Sequence, residues 1–428
     1  MSSSLTIRGA QLVLPDRVVN GDLRVDNGMI EAIGPHLEDM GEHVIDAQGL
    51  TLLPGGIDAL QQIPLNTNPR VDADTLATAS ATALRSGLTS IAILDPHGSV
   101  TSVDGLHDAL EQCARDCRTH YAVYLSATPQ NLEVLNSAER TPAIHVALHP
   151  DRLDDAQLEP LFEGVDRLVV ASVLSPNRVH QATTANPAEH AARFPASAAA
   201  EVVKRFTRLA TTHGRHLHLT GVSTRAELEV IASSPAHVTA QARVLHMMLN
   251  ASEAYEALGT RAVTRPPLRE HDDVASLWDA AASGAVSNIV SSHRGVLAQA
   301  KDLPYPATPP GMPSAGLLLP SLLDAVALGR LTLPDVARLL SSGPAERLGL
   351  HRKGRLEVGY DADMVLVDLD LERTVTTPTT PGPHWSPLEG HTLQGWPVEV
   401  FLLGRPVFRS DGTLIDGLRG RELTTVHA

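Results

Sequence analysis

The alternation of short apolar strands with longer helical segments through the middle of the chain constrains its fold more than any other feature. Besides the strand that ends at Asp58, segments with the length and composition of buried strands lie at residues 90–94, 121–126, 143–148, 167–173, 216–220, 238–240 and 288–291. Segments with a helical pattern lie between them, for example at residues 74–86, 198–212 and 224–232. Eight strands alternating with helices predict an α/β fold, a (β/α)8 TIM barrel, in which functional side chains follow the C-terminal ends of the strands.

Both ends of the chain have a different pattern, in which apolar and polar residues alternate between tight turns. Such segments predict strands at residues 5–8, 11–14, 23–25, 29–33, 362–367, 398–403 and 406–408. Since they flank the barrel on both sides, we expect one composite β-sandwich domain from residues 1–53 and 349–428, and a barrel from residues 54–348. The proline-rich stretch at 374–387 is expected to cross back over the barrel as a loop.

Composition excludes several classes of function. A net charge of −15 over 428 residues argues against nucleic-acid binding, which needs clustered Lys and Arg. No apolar run approaches the roughly 18 residues of a membrane span, and the first residues do not resemble a signal peptide. Only Cys113 and Cys117 could form a redox pair, and we expect reduced, half-buried thiols. These features predict a cytoplasmic protein without nucleic-acid or membrane partners.

Six short motifs follow one another in a fixed order. They are Pro-Gly-Gly-Ile-Asp at 54–58, Val-Thr-Ala at 238–240, Pro-Pro-Leu-Arg at 266–269, Ser-Gly-Pro-Ala at 342–345, a glycine-rich stretch at 354–363, and a closing stretch from 387–390 to 404–407. On these motifs the sequence resembles a dihydroorotase-type member of the amidohydrolase superfamily. The resemblance runs from about residue 5 to about residue 408, nearly the whole chain.

The resemblance implies which positions hold the metal ligands of that family, and donor side chains are missing there. The two histidines of the first strand correspond to Leu60 and Gln62. The histidines that close the fifth and sixth strands correspond to Ser172 and Gly221, and the aspartate after the eighth strand corresponds to Ser292. A binuclear zinc site needs several imidazole and carboxylate donors at about 2.0–2.2 Å. We therefore expect that the zinc site is lost and that the chain has no cofactor.

Other family positions are altered as well. The bridging acid or lysine of the fourth strand falls near residues 147–149, which contain no Asp, Glu or Lys. The substrate-binding arginine and two asparagines of the family correspond to Pro64, Pro96 and Arg265. Without a metal, bound water keeps its high pKa and an amide carbonyl is not polarised. The resemblance therefore predicts a homologue that is not an enzyme.

The remaining histidines and arginines leave several possibilities open. His216 and His218 form an HxH pair, but if Gly221 faces inward, strand alternation points both toward the surrounding helices. His293 is either a hydrogen-bonded structural residue or part of a relocated site with His149 or His97. The loop from Arg265 to Arg269 either binds an anion at the barrel mouth or pairs with nearby acids such as Glu270 and Asp272.

The chain keeps the motifs that build the fold and loses those that perform the chemistry. Ser-Ser-His at 291–293 and Ser-Ser-Gly-Pro-Ala at 341–345 resemble a pseudo-dihydroorotase group. That resemblance implies an assembly subunit in pyrimidine biosynthesis, whose partner is the catalytic chain of aspartate carbamoyltransferase in a large hetero-oligomer. Two alternatives stay open: an active cyclic amide hydrolase with a relocated or reduced metal site, and a ligand-sensing module that uses the vacated barrel cavity.

Overall fold

A computed structural model describes residues 4–128, 130–146, 155–173, 186–377 and 381–425. In these residues the strands are β1 Leu5–Val13, β2 Val18–Asp26, β3 Met29–Gly34, β4 His43–Asp46, β5 Thr51–Pro54, β6 Gly56–Gln62, β7 Leu88–Leu94, β8 His120–Val123, β9 Leu125–Ser126, β10 Ile144–Val146, β11 Val169–Ser172, β12 Leu217–Val222, β13 Val238–Arg243, β14 Asn288–Val290, β15 Met364–Thr374, β16 Thr392–Leu402 and β17 Arg405–Arg409. The α-helices are α1 Leu76–Arg85, α2 Val103–Asp116, α3 Asp155–Gly164, α4 His190–Arg193, α5 Ala196–His213, α6 Arg225–Ala232, α7 Val244–Met248, α8 Ala251–Leu258, α9 His271–Ser283, α10 Ala298–Lys301, α11 Leu318–Ala327, α12 Leu333–Ala337 and α13 Gly343–Arg347.

Strands from both ends of the chain form one sheet, in the order β17-β16-β15-β5-β1-β2-β3, with β4 beside β1. The N-terminal and C-terminal strands meet where β15 pairs antiparallel with β5. Buried side chains from both ends, such as Leu12, Leu52, Met364 and Phe401, form an apolar core of their own. The prediction of a composite β domain from both termini is confirmed.

One detail of this domain differs from the sequence pattern. The two strands predicted at residues 5–8 and 11–14 are a single strand, β1. Its register with β2 shifts between Ile7 and Ala10, and Gly9 lies there with a φ of +72°. A β-bulge inserts a residue without ending the hydrogen-bonded ladder, so the interruption of the apolar pattern is not a break in the strand.

The middle of the chain forms the predicted barrel. Strands β6, β7 and β8 pair in parallel, and β9 to β14 continue in parallel. Tyr124 alone separates β8 from β9, and its amide donates to the carbonyl of Ile93, so the two segments act as one barrel strand. Gln62, at the end of β6, donates its amide to the carbonyl of His293 at 2.8 Å and closes the circle beyond β14. The (β/α)8 prediction is confirmed, although residues 147–148 of the predicted fourth strand lie outside the described residues.

The barrel strands bury apolar side chains on two faces. Leu217 and Leu219 of β12 belong to a large cluster that includes helix residues such as Phe162 and Phe206. A second cluster contains interior residues such as Val170 of β11. Cys113 and Cys117 are free thiols on the helix side, and both are fully buried rather than half-buried as expected, because α2 packs that face onto the barrel.

Near its C-terminus, the chain crosses the base of the barrel, which is the end where the barrel strands begin. Tyr121 donates its amide to the carbonyl of Arg421 at 3.0 Å, and Leu423 returns an amide to Tyr121 at 2.8 Å. The side chain of Leu423 joins the interior cluster. A Cβ atom at Gly420 would lie 1.6 Å from the carbonyl oxygen of Thr119, so only glycine fits this crossing.

Charged groups at the base are paired. Asp363 accepts a hydrogen bond from the amide of Leu403 at 2.9 Å, and its carboxylate contacts His120 at 3.2 Å and the amine of Lys353. Burial alone would raise the pKa of Asp363, but His120 and Lys353 together hold it well below its ordinary value. Among the helices described here, none combines the length and apolar character needed to cross a membrane.

Candidate functional site

The C-terminal ends of the barrel strands carry the positions that the resemblance assigns to the metal ligands of the family. On the first strand, Leu60 is 1% exposed and packs in the interior cluster with Ala59, Leu94 and Tyr124. The hydroxyl of Tyr124 donates to the carbonyl of Ala59 at 2.6 Å. An apolar side chain and a satisfied phenol therefore occupy this part of the barrel, and neither is a metal donor of the kind that zinc prefers.

The first and eighth strands meet through Gln62 and Ser292. The side-chain amide of Gln62 donates to the hydroxyl of Ser292 at 3.1 Å. Gln62 is partly exposed, and Ser292 is 7% exposed with a φ of +49°. Two positions that hold a histidine and an aspartate in the family thus form a neutral hydrogen bond that ties two strand ends together.

The fifth-strand position contacts a histidine that the sequence did not single out. The hydroxyl of Ser172 lies 3.0 Å from Nε2 of His145, which projects from β10. Burial, and after it the charge of Arg243, lowers the pKa of His145 to about 3, so its ring is neutral at physiological pH. Its Nδ1 is buried and has no hydrogen-bond partner in the part of the chain that the structure describes. The predicted window at 147–149 lies outside that part.

The sixth-strand position faces an arginine. Gly221 has a φ of +82°, and a Cβ atom added there would lie 3.2 Å from Nη2 of Arg243 and 3.2 Å from Cδ of Pro266. Arg243 ends β13 and is 6% exposed. Burial lowers its pKa to about 10, so the guanidinium stays charged at neutral pH. A cation therefore lies beside the position to which the resemblance assigns a metal-binding histidine.

His218 does not point toward the helices, and that prediction is wrong. It is 2% exposed, and its ring contacts the hydroxyl of Thr239 at 2.8 Å and the side-chain oxygen of Gln241 at 3.0 Å. Gln241 also donates to Thr220 at 2.7 Å and accepts from Asn288 at 2.7 Å. These side chains form a neutral, hydrogen-bonded layer across β12, β13 and β14, on the face opposite Leu217 and Leu219.

A bulge explains the wrong orientation. The register between β12 and β13 shifts between Thr220 and Val222, at Gly221. A bulge inserts one residue and breaks the strict alternation of strand faces. The inward position of Gly221 therefore does not place Leu217 and Leu219 inward. His216 precedes β12 and is exposed, and its ring centre lies 6.4 Å from that of His237.

His293 is fully engaged in hydrogen bonds. Its Nε2 lies 2.8 Å from the carboxylate of Asp74, and its Nδ1 accepts from the amides of Ser314 at 2.9 Å and Ala315 at 3.2 Å. His97 similarly contacts Asp72 at 3.0 Å, while His149 lies outside the described residues. Across the described ranges, no group of three or more His, Cys, Asp or Glu side chains could hold a metal. These residues do not supply the donor set of a binuclear zinc site.

The loop from Arg265 to Arg269 serves the packing of the mouth. Arg269 is 6% exposed and donates to the carbonyl of Phe194 at 2.7 Å and to Ser223 at 3.3 Å, not to Glu270 or Asp272 as the structural alternative expected. The guanidinium of Arg265 lies 5.3 Å from the ring centre of Phe194.

The other two substrate-binding positions carry no polar side chain. Pro64 is buried just beyond β6, and Pro96 is partly exposed just beyond β7. A proline ring has neither a hydrogen-bond donor nor a charge with which to hold a substrate.

Asp58 has a role that sequence reasoning missed, although it belongs to a recognised motif. It is fully buried and accepts hydrogen bonds from the amide of Ser291 at 3.0 Å, from the Ser291 hydroxyl and from the side chain of Gln61 at 2.8 Å. Burial raises its pKa, although these hydrogen bonds act in the opposite direction. Asp58 joins β6 to the end of β14 beneath the mouth.

Known proteins share this architecture over almost the whole chain. Residues 51–407 match a family model described as "Amidohydrolase family". An allantoinase of Rubrobacter xylanophilus is 29% identical over 447 residues, which cover 97% of this chain and 96% of that protein. A dihydroorotase of Elusimicrobium minutum is 26% identical over 434 residues, with coverage of 95% and 98%. A dihydroorotase-like protein of Pseudomonas aeruginosa is 28% identical over 427 residues, with coverage of 92% and 96%.

A solved structure agrees with the fold. The L-hydantoinase from Arthrobacter aurescens superposes with a TM-score of 0.89 at 22% identity, over 97% of this chain and 98% of that one. At that identity the likeness concerns the fold alone, and it matches the barrel with its attached β domain.

Proposed function

Because the chain belongs to the amidohydrolase family, we propose that it is a catalytically inactive dihydroorotase homologue that acts as a structural subunit of an aspartate carbamoyltransferase assembly. One observation carries the proposal: side chains at the family's ligand positions bind each other instead of offering donors. Leu60 packs into the interior cluster, and Gln62 binds Ser292.

Electrostatics support the loss of metal binding. The Arg243 guanidinium lies against Gly221 and is buried, so it would repel a divalent cation in the same space. In the family a bound metal supplies a polarised carbonyl and an activated water. The buried carboxylates of Asp58 and Asp74 at this end of the barrel are engaged in hydrogen bonds with Ser291 and His293, so neither is free to act as a base.

The partner in the proposal comes from resemblance and from the retained fold. Ser291-Ser292-His293 and residues 341–345 resemble the pseudo-dihydroorotase group. Asp58 and Asp363 keep their buried hydrogen bonds, so the scaffold is maintained although the ligand positions have changed. A maintained scaffold with altered chemistry fits a role in assembly.

Metal content and turnover test the inactive state. The purified full chain is expected to contain only trace zinc by elemental analysis and to show no hydrolysis of dihydroorotate, with or without added zinc. The same assay with allantoin and hydantoin examines the second candidate, an active cyclic amide hydrolase, which is favoured by the enzyme names of the full-length relatives. Stoichiometric zinc together with turnover of any of these compounds would contradict the proposal.

Co-expression tests the assembly role. The chain is expected to elute together with the catalytic chain of the host's aspartate carbamoyltransferase as one large species in size-exclusion chromatography. Separate elution at micromolar concentration, with a transferase that is fully active alone, would refute this part of the proposal.

A further inference from the structure

We propose that the mouth of the barrel binds a small monocarboxylate through the guanidinium of Arg243. The inference goes beyond the proposed function, which assigns no ligand to the barrel. It concerns a buried cation at the C-terminal ends of the strands, in the place where the family holds cationic metals.

Within the described ranges, the side chain of Arg243 makes one hydrogen bond. Its Nη1 donates to the carbonyl of Arg265, while its Nε is buried and has no hydrogen-bond partner in the described ranges. Within those ranges no Asp or Glu pairs with it, and burial is the sole cause of its lowered pKa. An arginine carries five N–H donors, so this side chain keeps an open set of donors and an uncompensated charge.

Such a charge is costly when it is buried alone. A charged group in a protein interior is normally paired with an opposite charge, or its pKa shifts so that it becomes neutral. The pKa of Arg243 remains near 10, so it does not become neutral at physiological pH. Two other buried arginines are paired in this way, since Arg24 contacts the carboxylate of Glu42 at 3.0 Å and Arg294 donates to that of Asp72 at 2.7 Å. A bound anion would supply the missing partner of Arg243.

The surroundings of Arg243 are polar but neutral. His145 is close enough for the charge of Arg243 to contribute to its lowered pKa, and it contacts Ser172. His246 is likewise neutral, because burial and then Arg243 lower its pKa to about 3. Partly exposed Gln62 lies at the rim of this end of the barrel, on the first strand. The single positive charge of Arg243 would therefore be neutralised by a ligand that carries one negative charge.

The shape of the cation selects the class of anion. A guanidinium presents two parallel N–H groups that match the two oxygens of a carboxylate, whereas chloride is a single spherical acceptor without this match. A phosphate dianion would bring a second negative charge without a counterion. These considerations favour a monocarboxylate over chloride or phosphate.

A matched pair of probes tests the proposal on the full chain. N-acetylglycine carries one carboxylate, and N-acetylglycinamide is the same molecule without the charge. Titration calorimetry at constant ionic strength is expected to show binding of the acid and none of the amide. In Arg243→Gln the affinity should fall at least about tenfold, as expected from the loss of charge-assisted hydrogen bonds. Arg261→Gln, which removes a surface pair with Asp302, should bind like the wild type.

Two further measurements keep the test independent of folding. Arg243→Lys keeps the charge but loses the two parallel N–H groups of the guanidinium. It should therefore bind the acid more weakly and no longer prefer the acid to chloride. In the wild type, the Nε–H resonance of Arg243 should shift with the acid and not with the amide. Equal responses to acid and amide, or equal affinity in Arg243→Gln, would overturn the proposal. Because metal-free protein is used throughout, a zinc or hydrolysis result that refutes the proposed function leaves this outcome unaffected.

Discussion

The two ends of the barrel differ in whether their buried charged side chains have partners of opposite charge. At the base, Asp363 is surrounded by His120, Lys353 and the amide of Leu403, so its charge is fully satisfied. At the mouth, Arg243 has one hydrogen bond and no carboxylate partner among the described residues. The comparison separates a region selected for stability from one where an unsatisfied group is tolerated. In barrels of this class, the base is the stabilising face and the mouth is the functional one.

The largest expected effect comes from breaking the pairing at the base. Asp363→Ala would leave His120 and Lys353 without this carboxylate and should lower the free energy of unfolding by about 3–5 kcal/mol in urea denaturation at pH 7. Because the folded pKa of Asp363 lies below its unfolded value of about 3.9, this contribution is present above that pH and is lost as the pH falls further.

Arg243→Leu is the matched change at the mouth. It removes a buried charge that has no ionic partner to lose, so it should be neutral or stabilising. If Arg243→Leu destabilises the chain as much as Asp363→Ala, the contrast between the two ends is wrong.

Between the two ends, the buried imidazole of His218 should make stability depend on pH. Burial lowers its pKa to about 4, below the ordinary value of about 6.5, although the hydrogen bond that its ring donates to the side-chain oxygen of Gln241 acts in the opposite direction. Its contribution is therefore complete above pH 6.5 and declines as the pH falls toward 4, by up to about 1.4 kcal/mol per pH unit. Urea titrations between pH 7 and 5 should show a shallower decline for His218→Gln than for the wild type or for the exposed His271→Gln.

Restoring a family histidine at the mouth should destabilise the chain moderately. Gly221→His would place a side chain at a φ of +82° and against the guanidinium of Arg243. A residue with a side chain in such a conformation costs about 1–3 kcal/mol. Adding Arg243→Ala removes the contact with the guanidinium but not the unfavourable φ. In thermal unfolding it should therefore recover only part of the lost stability. Full recovery would mean that the backbone conformation of Gly221 is unimportant.

The smallest effect is expected for the neutral pair at the mouth. Gln62→Ala and Ser292→Ala should each cost about 0.5–1.5 kcal/mol, because each removes a single hydrogen bond between neutral groups. In a double-mutant cycle, the loss in the double mutant should be smaller than the sum of the two single losses, because both substitutions remove the same hydrogen bond. Additive losses would show that the two side chains act independently.

The barrel and the composite β domain could be predicted from the sequence. The alternation of strands with helices, and the strand pattern at both termini, are properties of whole segments rather than of single residues. Ordered motifs also singled out Leu60, Gln62 and Ser292, which the structure places at or near strand ends. That they replace the metal ligands of the family stays a prediction. Sequence reasoning failed for His218, because a single-residue bulge at Gly221 reverses which face is inward.

Arg243 was missed because the seventh strand was predicted to end at Ala240, whereas β13 continues to Arg243. The alternation of small and polar residues from Ala240 to Arg243 was the available signal. His145 lies before the window that the resemblance marked on the fourth strand, so a search limited to that window could not find it. Contacts between distant segments, such as Gly221 with Arg243, depend on tertiary packing that no local pattern contains.

The contact between Gly221 and Arg243 also bears on how such a chain could have arisen. A Cβ atom at position 221 would lie 3.2 Å from Nη2 of Arg243, so a side chain there requires the guanidinium to move by a few tenths of an ångström. If an ancestor of the chain carried the histidine that the resemblance implies at this position, its loss would have made room for the arginine. The two positions are then coupled, because a histidine restored at 221 alone would meet both the positive φ of the backbone and the guanidinium of Arg243.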